Sequence, residues 1–174
     1  MKKRSVLQSY VLIGIALITL IINACSNSYK DEAEQVKSNI EKYTYVWDEI
    51  MNKGKLDMFN DSNFTKDVVM HASPSDVIGI DSARAYYTNF LTGFSNIQFT
   101  IEDVFGQGDK LVKHWRFKGT HTGNFFGIPP TGKTVDIDGT TLVRMSNGKI
   151  AEEKDFYDNY EFLNQLGLIP QSKQ

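Results

Sequence analysis

The sequence predicts an α+β domain in which N-terminal helices pack into a strongly bent antiparallel sheet. Apolar residues recur at helical spacing from Glu32 to Lys55 and again over Ser82–Phe94, the pattern of helices with one buried stripe. After Ser95 the apolar period changes to two, as in half-buried strands. Because helices come first and long strands follow, the two kinds of element should form separate layers. A bent sheet wrapped around a helix encloses an apolar cone, and small ligands usually bind in such a mouth.

The first half of the domain contains four predicted elements. The apolar stripe of the first helix runs through Val36, Ile40, Tyr43, Val46, Trp47, Ile50 and Met51. Gly54 ends this helix, and a short second helix follows at Leu56–Asn60. Lys66–Ala72 is predicted to be the first strand. Asp81 is the predicted N-cap of the helix over Ser82–Phe94.

The second half alternates between apolar and polar residues and ends in a helix. The predicted elements are the strands Ile97–Phe105, Leu111–His121, Val135–Met145 and Ile150–Asp158 and the closing helix Asn159–Leu166. Asn147 and Gly148 form the core of a predicted hairpin turn between the last two strands. Along the second of these strands, Leu111, Trp115 and Phe117 share one face with His121.

The N-terminus is predicted to be a lipoprotein signal peptide spanning residues 1–24. Three basic residues, Lys2 to Arg4, precede the apolar run Val11–Ile22, which is short for a bilayer span of ~20 residues. The run ends in Ile22–Cys25, which resembles a bacterial lipobox; the resemblance implies cleavage before Cys25 and lipidation of its thiol. The alternative is an uncleaved membrane anchor with an ordinary cysteine. Residues 25–31 would be a tether, 32–170 the domain and 171–174 a tail.

Composition and charge limit the partners. The chain is 41% hydrophobic and 23% charged, which suits one domain with a substantial core. Removal of residues 1–24 takes away three cations, so the formal charge changes from −2 to −5. No basic patch remains, which argues against a nucleic-acid partner. Ser26 after the lipidated cysteine, by analogy with other lipoproteins, predicts the cell envelope and its outer membrane as the location.

Two motifs are weighed and set aside. Gly127–Thr134 fits the phosphate-loop pattern G-x-x-x-x-G-K-T, but a strand rather than a helix is predicted to follow, and two prolines remove backbone donors. His114 and His121 are seven residues apart on one strand, so they point to opposite faces. His71 lies on another element. The sequence therefore predicts no metal site.

The last strand supplies the candidate catalytic acid. Asp155 and Asp158 are three residues apart, so only one of them can point into a cavity. Asp158 shares a face with Phe156 and lies near the Trp115-bearing strand. A partly desolvated carboxylate there suits a base in carbon-acid chemistry. The alternatives are a solvated aspartate at the strand end or an N-cap of the closing helix.

Three sequence elements resemble the SnoaL-like polyketide cyclase (ester cyclase) family of the nuclear transport factor 2-like superfamily. The signature H-x-G-x-x-x-G-x-x-P-T-G-K is present as His121–Lys133, followed by Asn147–Ile150 and Gln165–Gly167. The resemblance implies the cystatin-like cone fold. It also implies cofactor-independent ring closure by intramolecular aldol condensation, with the general acid/base aspartate falling on Asp158.

Other positions of the family's site differ in this chain. Arg144 stands where the family has a histidine, Met51 where it has a tyrosine and Tyr86 where it has an asparagine. Two hypotheses follow. In the first, the protein is a cofactor-free cyclase, isomerase or hydrolase in which Asp158 moves a proton on a small apolar carbonyl compound, and Arg144 or His121 stabilises the oxyanion.

The second hypothesis is a non-catalytic, membrane-tethered module that binds a small apolar ligand or a protein partner. Both hypotheses require an apolar pocket, and its predicted ligand-binding residues are Trp115, His121, Arg144, Tyr86 and Phe156. The expected partners are a small apolar molecule, the membrane through Cys25 and a second copy of the chain in a homodimer. No cofactor is expected.

Overall fold

The computed structural model describes residues 30–170 and places three helices against one six-stranded sheet. Helix α1 covers residues 30–53. The elements that follow are β1 (Phe64–His71), β2 (Val77–Ile78), α2 (Ile80–Gly93), β3 (Phe94–Gln107), β4 (Lys110–His121), β5 (Thr134–Ser146), β6 (Lys149–Tyr157) and α3 (Asn159–Gln165). The α+β class predicted from the order of helical and strand patterns is confirmed.

The sheet has the order β2-β1-β6-β5-β4-β3. Strands β3 to β6 form an antiparallel meander, and β2 pairs antiparallel with β1 at one edge. Strand β1 runs parallel to β6, which is the one parallel pairing among the described strands of a sheet predicted to be antiparallel. The register shifts within β3 and at Arg144/Met145 of β5, and such bulges bend strands. The curved sheet leaves a concave face that the helices cover.

Helix α1 supplies one wall of the core because its apolar stripe faces the sheet. Tyr43, Val46, Trp47 and Ile50 are almost completely buried. The indole of Trp47 contacts Phe59, Phe64 and Tyr87 edge-on, with ring centroids 6.2, 6.5 and 4.6 Å away. The core between helix and sheet is therefore mainly aromatic.

The boundaries of several elements differ from the predictions. The short second helix is a single 3-10 turn at Leu56–Met58, and β1 begins at Phe64, which is fully buried. Helix α2 begins at Ile80 with Gly79 as its N-cap residue. Asp81 lies inside the first turn and forms an ion pair with Arg84, with 2.8 Å between Oδ1 and Nη1.

The loop of residues 122–133 folds back over the end of β4. The amides of Thr122 and Gly123 both donate to the carbonyl of Gly93 at 2.9 Å. The chain after Lys133 continues as strand β5 and does not form the helix that a phosphate loop requires. The loop therefore joins two strands and closes one end of the cone.

Residues 1–29 and 171–174 lie outside the described part of the chain. The predicted signal peptide, the lipidation of Cys25 and the C-terminal tail consequently remain predictions. Over residues 30–170, no helix is both long enough and apolar enough to cross a membrane.

Candidate functional site

A cavity of about 730 Å³ opens between the helices and the concave face of the sheet. Its volume lies in the range of pockets that hold drug-sized molecules. Aromatic rings form a large part of its wall, with contributions from Trp47, Tyr86, Tyr87, Phe90, Trp115 and Phe117. A cavity with these walls favours an apolar, flat ligand.

One row of side chains across the sheet brings polar groups into the aromatic cavity. Lys113 on β4 pairs with Thr141 on β5, and Thr141 pairs with Asp155 on β6. Residues paired across strands lie on the same face of a sheet. Because Trp115 is two residues beyond Lys113, it also points inward, and it lines the cavity together with Lys113 and Asp155.

A chain of two hydrogen bonds orients Asp155. Trp115 Nε1 donates to Thr141 Oγ1 at 3.0 Å, and the Thr141 hydroxyl donates to Asp155 Oδ1. Thr141 is fully buried, whereas Asp155 is solvent-exposed. The carboxylate of Asp155 is thus held by a buried hydroxyl while the residue is exposed and lines the cavity.

Gly139 makes room for the indole of Trp115. It pairs with Trp115 on β4 and with Tyr157 on β6. A Cβ atom at position 139 would lie 2.5 Å from Cζ2 of Trp115 and 2.7 Å from the carbonyl oxygen of Phe156. A side chain at this position therefore requires the indole or the β6 backbone to move.

We expect Gly139→Ala to displace Trp115 and to lower the free energy of unfolding by ~1–3 kcal/mol, the usual cost of overpacking. Urea denaturation measures the stability, and near-ultraviolet circular dichroism reports on the indole. Thr140→Ala, at an exposed neighbouring position, is the control and should change stability by ~0.5 kcal/mol or less. An unchanged stability and spectrum in Gly139→Ala would contradict this account of the packing.

Glu153 is a second acid of the cavity and is only 2% exposed. One of its carboxyl oxygens, Oε1, accepts hydrogen bonds from the Tyr43 hydroxyl and from Trp47 Nε1, the latter at 2.9 Å. The other oxygen, Oε2, has no hydrogen-bond partner among residues 30–170. Burial raises the pKa of Glu153 to about 7, although nearby Lys113 and the two hydrogen bonds oppose this rise.

Lys113 is 4% exposed and lies within a cage of aromatic rings. Its Nζ atom is 5.3 Å from the ring centroid of Tyr43, 4.9 Å from that of Trp47 and 5.3 Å from that of Phe99. These distances allow cation–π attraction, which partly replaces the lost hydration of the ammonium group. Lys113 attracts Glu153 electrostatically, but the two side chains do not form an ion pair.

Three tyrosine hydroxyls surround the acids. Burial, with smaller contributions from Tyr157 and Asp155, raises the pKa of Tyr86 to about 12. Burial also raises the pKa of Tyr87 well above its ordinary value and that of Tyr157 more modestly. All three line the cavity. Because their pKa values are raised, their hydroxyls are protonated at neutral pH and can donate hydrogen bonds.

Three of the predicted ligand-binding residues line the cavity. Trp115 is buried in its wall, Tyr86 is partly buried on α2, and Phe156 is about half exposed at the mouth. Lys154 Nζ lies 5.2 Å from the ring centroid of Phe156. At the same rim, His71 Nδ1 and Asp76 Oδ1 are 3.1 Å apart. The mouth is thus more polar than the walls.

Asp158 does not line the cavity. It follows the last residue of β6 and is the N-cap of α3, where its Oδ1 accepts a hydrogen bond from the amide of Glu161 at 3.0 Å. Its side chain is exposed. Glu153, Asp155 and Tyr157 of β6 line the cavity instead, and the catalytic role predicted for Asp158 remains a prediction.

His121 and Arg144 also lie away from the cavity lining. His121 is fully buried under the loop of residues 122–133, where its Nδ1 atom is 3.2 Å from the donating amide of Thr131. Arg144 forms an ion pair with Glu152, with 2.6 Å between Nη2 and Oε1. The first side chain holds the loop and the second is paired on the strand surface, and the predicted roles of both at a ligand remain predictions.

The sequence interpretation missed Lys113, Glu153 and the inward position of Asp155. The two-residue repeat of the strand contained the signal for Lys113. Its position places it on the same face as Leu111, Trp115 and Phe117, the face predicted to be apolar. A lysine on such a face is either paired or functional. Within residues 30–170, no three histidine, cysteine or acidic side chains are grouped closely enough to hold a metal ion.

Comparisons with known proteins agree on one family. The family described as SnoaL-like polyketide cyclase matches residues 41–166, well over half of the chain. A proposed SnoaL-like polyketide cyclase from Jannaschia sp. CCS1 is similar in structure, with a TM-score of 0.67 and 25% identity over 78% of this chain and 95% of its own. None of the curated protein sequences is significantly similar to the chain.

Two further solved structures are similar. A proposed polyketide cyclase from Bacillus cereus ATCC 10987 has a TM-score of 0.59 and 26% identity over 72% of this chain and 78% of its own. IdmH, a proposed polyketide cyclase from Streptomyces antibioticus, has a TM-score of 0.61 and 24% identity over 74% of this chain and 98% of its own. At that identity the likeness to IdmH concerns the fold alone.

Proposed function

Because the chain belongs to the SnoaL-like polyketide cyclase family, we propose that its cavity catalyses a cofactor-independent proton transfer on a small, mainly apolar carbonyl compound. The observation that carries this proposal is the position of Asp155. This carboxylate is held by the buried Thr141 hydroxyl and lines an aromatic cavity large enough for a drug-sized ligand. A fixed carboxylate beside an apolar ligand is the arrangement that carbon-acid chemistry uses.

In the proposed reaction, Asp155 takes a proton from the carbon next to the substrate carbonyl. The electron pair of the broken C–H bond forms the C=C bond of an enolate, and the carbonyl oxygen gains the negative charge. The enolate carbon then attacks a second carbonyl of the same molecule, which closes a ring, or accepts the proton back at another carbon, which isomerises the compound. Asp155 returns the proton in either case, so no cofactor is consumed.

The tyrosine hydroxyls are the groups suited to stabilise the enolate. Tyr86 and Tyr157 lie near Asp155, which acts electrostatically on both, and both line the cavity. Positioned hydrogen-bond donors lower the free energy of a developing oxyanion more than they lower that of a neutral carbonyl. In this proposal they take the place that the sequence interpretation gave to Arg144 or His121.

The test measures proton abstraction directly and needs no natural substrate. The ketone 2-tetralone, whose fused rings suit an aromatic cavity, is incubated with the protein in D₂O, and deuterium incorporation beside the carbonyl is followed by NMR. We expect incorporation above the buffer-catalysed rate. Exchange at the buffer rate, despite binding seen by fluorescence, would leave the non-catalytic hypothesis ahead.

A binding module is the second candidate function. It is favoured by the positions of Arg144 and His121, because neither of these family-related polar residues reaches the cavity lining. Such a module would bind the same class of compound in the same aromatic cavity. Binding that is tight but never accompanied by exchange, with any ketone, is its expected result.

We also propose that the domain is tethered to a membrane through a lipidated Cys25. The lipobox-like Ile22–Cys25 and the short apolar run before it support this proposal. Mass spectrometry of the intact protein from membranes should show loss of residues 1–24 and an added diacylglyceryl group. Cys25→Ala should leave an unprocessed precursor, whereas a mature native chain that still begins at Met1 would exclude the lipoprotein assignment.

A further inference from the structure

The cavity contains two polar side chains whose hydrogen-bonding capacity is not used by the residues that the structure describes. Oε2 of Glu153 is buried without a hydrogen-bond partner, and Nζ of Lys113 contacts aromatic rings but no hydrogen-bond acceptor. Both residues are more than nine-tenths buried, and both line the cavity. We call these two residues the buried pair. The unpartnered Oε2 of Glu153 is costly, and that cost is relieved when a ligand donates a hydrogen bond to it.

The charges of the buried pair select among ligand groups. A carboxylate or phosphate group would be attracted by Lys113 but repelled by the ionised Glu153, and an ammonium group would meet the opposite conflict. A neutral hydroxyl avoids both conflicts because it donates one hydrogen bond and accepts another. It can donate to Oε2 of Glu153 while it accepts from Nζ of Lys113.

The preference for a hydroxyl over an ether depends on the protonation of Glu153. Its pKa of about 7 means that both forms are populated near neutral pH. Ionised Glu153 accepts a hydrogen bond that only a hydroxyl can donate, whereas protonated Glu153 can donate to a hydroxyl and to an ether alike. The preference is therefore measured at pH 8.5, where Glu153 is ionised.

The position of the buried pair separates it from the reacting centre. Lys113 and Asp155 lie in one row with Thr141 between them, so their backbones are two strand spacings, or about 10 Å, apart. Glu153 precedes Asp155 by two residues on β6, which is about 7 Å. A ligand bound at both places therefore has its hydroxyl several bonds from its reacting carbonyl, as on the far side of a bicyclic ring system.

We infer that the buried pair Lys113 and Glu153 binds a hydroxyl group of the substrate, on the end of the molecule remote from the carbonyl that reacts at Asp155. This inference rests on the proposed function for the identity of the reacting end. The substrate class is then a hydroxylated cyclic or aromatic ketone. Lys113 and Glu153 determine specificity and do not take part in the proton transfer.

The experiment compares two probes, 6-hydroxy-2-tetralone and 6-methoxy-2-tetralone. In the second, a methyl group replaces the hydroxyl hydrogen, so its oxygen can accept a hydrogen bond but cannot donate one. Trp47 and Trp115 are the two tryptophans of the chain, and both line the cavity, so quenching of their fluorescence reports binding to the full-length protein. We expect the hydroxy compound to bind about 10-fold more tightly, which is the usual value of one buried hydrogen bond. Equal binding, or no binding of the hydroxy compound, overturns the inference.

Lys113→Met tests the other half of the buried pair. It keeps the chain length and removes the donor to the ligand oxygen, which both probes offer, so both should bind about 10-fold more weakly. Lys154→Met is the matched control, because Lys154 is an exposed lysine at the mouth; it should keep both affinities. Unchanged affinities in a folded Lys113→Met protein would place the ligand oxygen elsewhere and overturn the inference.

Two more variants keep the test decisive. Glu153→Met removes the acceptor for the ligand hydroxyl hydrogen and should abolish the preference for the hydroxy compound, which gives a second measurement if Lys113→Met does not fold. Asp155→Asn should keep the full hydroxyl preference while it loses deuterium exchange. A protein that prefers the hydroxy compound but never catalyses exchange would retain the hydroxyl site and lose the proposed function, so the two failures are distinguishable.

Discussion

Asp155→Asn should lower the rate of deuterium exchange into 2-tetralone by ~10²–10⁴, the usual contribution of a general base. Asparagine has nearly the same shape, and its amide oxygen can still accept the hydrogen bond from Thr141 that orients this position. It cannot take up a proton from carbon. Ligand affinity should change much less than the rate, because the lost interaction belongs to the transition state. NMR exchange rates and fluorescence titrations on the same samples measure the two quantities.

Asp158→Asn is the matched control and also tests the role that the family resemblance assigned to Asp158. Asp158 is exposed and caps α3, and asparagine caps a helix about as well as aspartate. We therefore expect unchanged exchange and unchanged stability. If Asp158→Asn lost exchange while Asp155→Asn kept it, the general base would be Asp158, and the mechanism proposed for Asp155 would be wrong.

The stability of the wild-type protein should decrease by about 2–3 kcal/mol between pH 5 and 8 because of Glu153. Burial raises the pKa of Glu153 in the folded protein from 4.5 to about 7. Between these values the folded state holds a proton that the unfolded state has released. The free energy of unfolding consequently falls as pH rises through this window, by about 1.4 kcal/mol per pH unit, and levels off above pH 7.

Urea denaturation at a series of pH values measures this dependence, and two variants isolate its source. Glu153→Gln keeps acceptors for Tyr43 and Trp47 but cannot titrate, so its stability should be nearly flat over the same range. Glu152→Gln is the control. The pKa of this adjacent acid is lowered, mainly by the hydrogen bond from Arg144, so Glu152 does not titrate between pH 5 and 8 and its variant should keep the decrease seen in the wild type. Identical pH profiles for the wild type and Glu153→Gln would falsify the assignment.

The fold was largely predictable because its layers follow from periodicity. The buried stripe of α1 and the alternation along β4 both appear directly in the sequence, and residues on these faces are buried in the structure. The parallel pairing of β1 with β6 could not be predicted in this way. Strand patterns show which residues face the core, but they do not show which distant strand pairs with a given strand.

The site was less predictable because both faces of β6 carry acids. Strand alternation allows only one of Asp155 and Asp158 to face a cavity, but it cannot show which one. The structure decides this at the strand end, where the chain leaves β6 after Tyr157 and Asp158 begins α3. Lys113 was missed because only the apolar residues of its strand were assigned to the buried face.

The pairing of β1 with β6 also determines the order in which the protein can fold. Phe64 on β1 lies opposite Ile150 on β6, and Tyr43 and Trp47 of α1 bond to a glutamate 110 and 106 residues later. Strands β3 to β6, by contrast, pair with their neighbours in sequence. Contacts between distant residues close large loops and form late. During synthesis, helix α1 and strand β1 therefore emerge long before β6, and a chain that stops before β6 lacks the β1–β6 pairing and the two hydrogen bonds from α1 to Glu153.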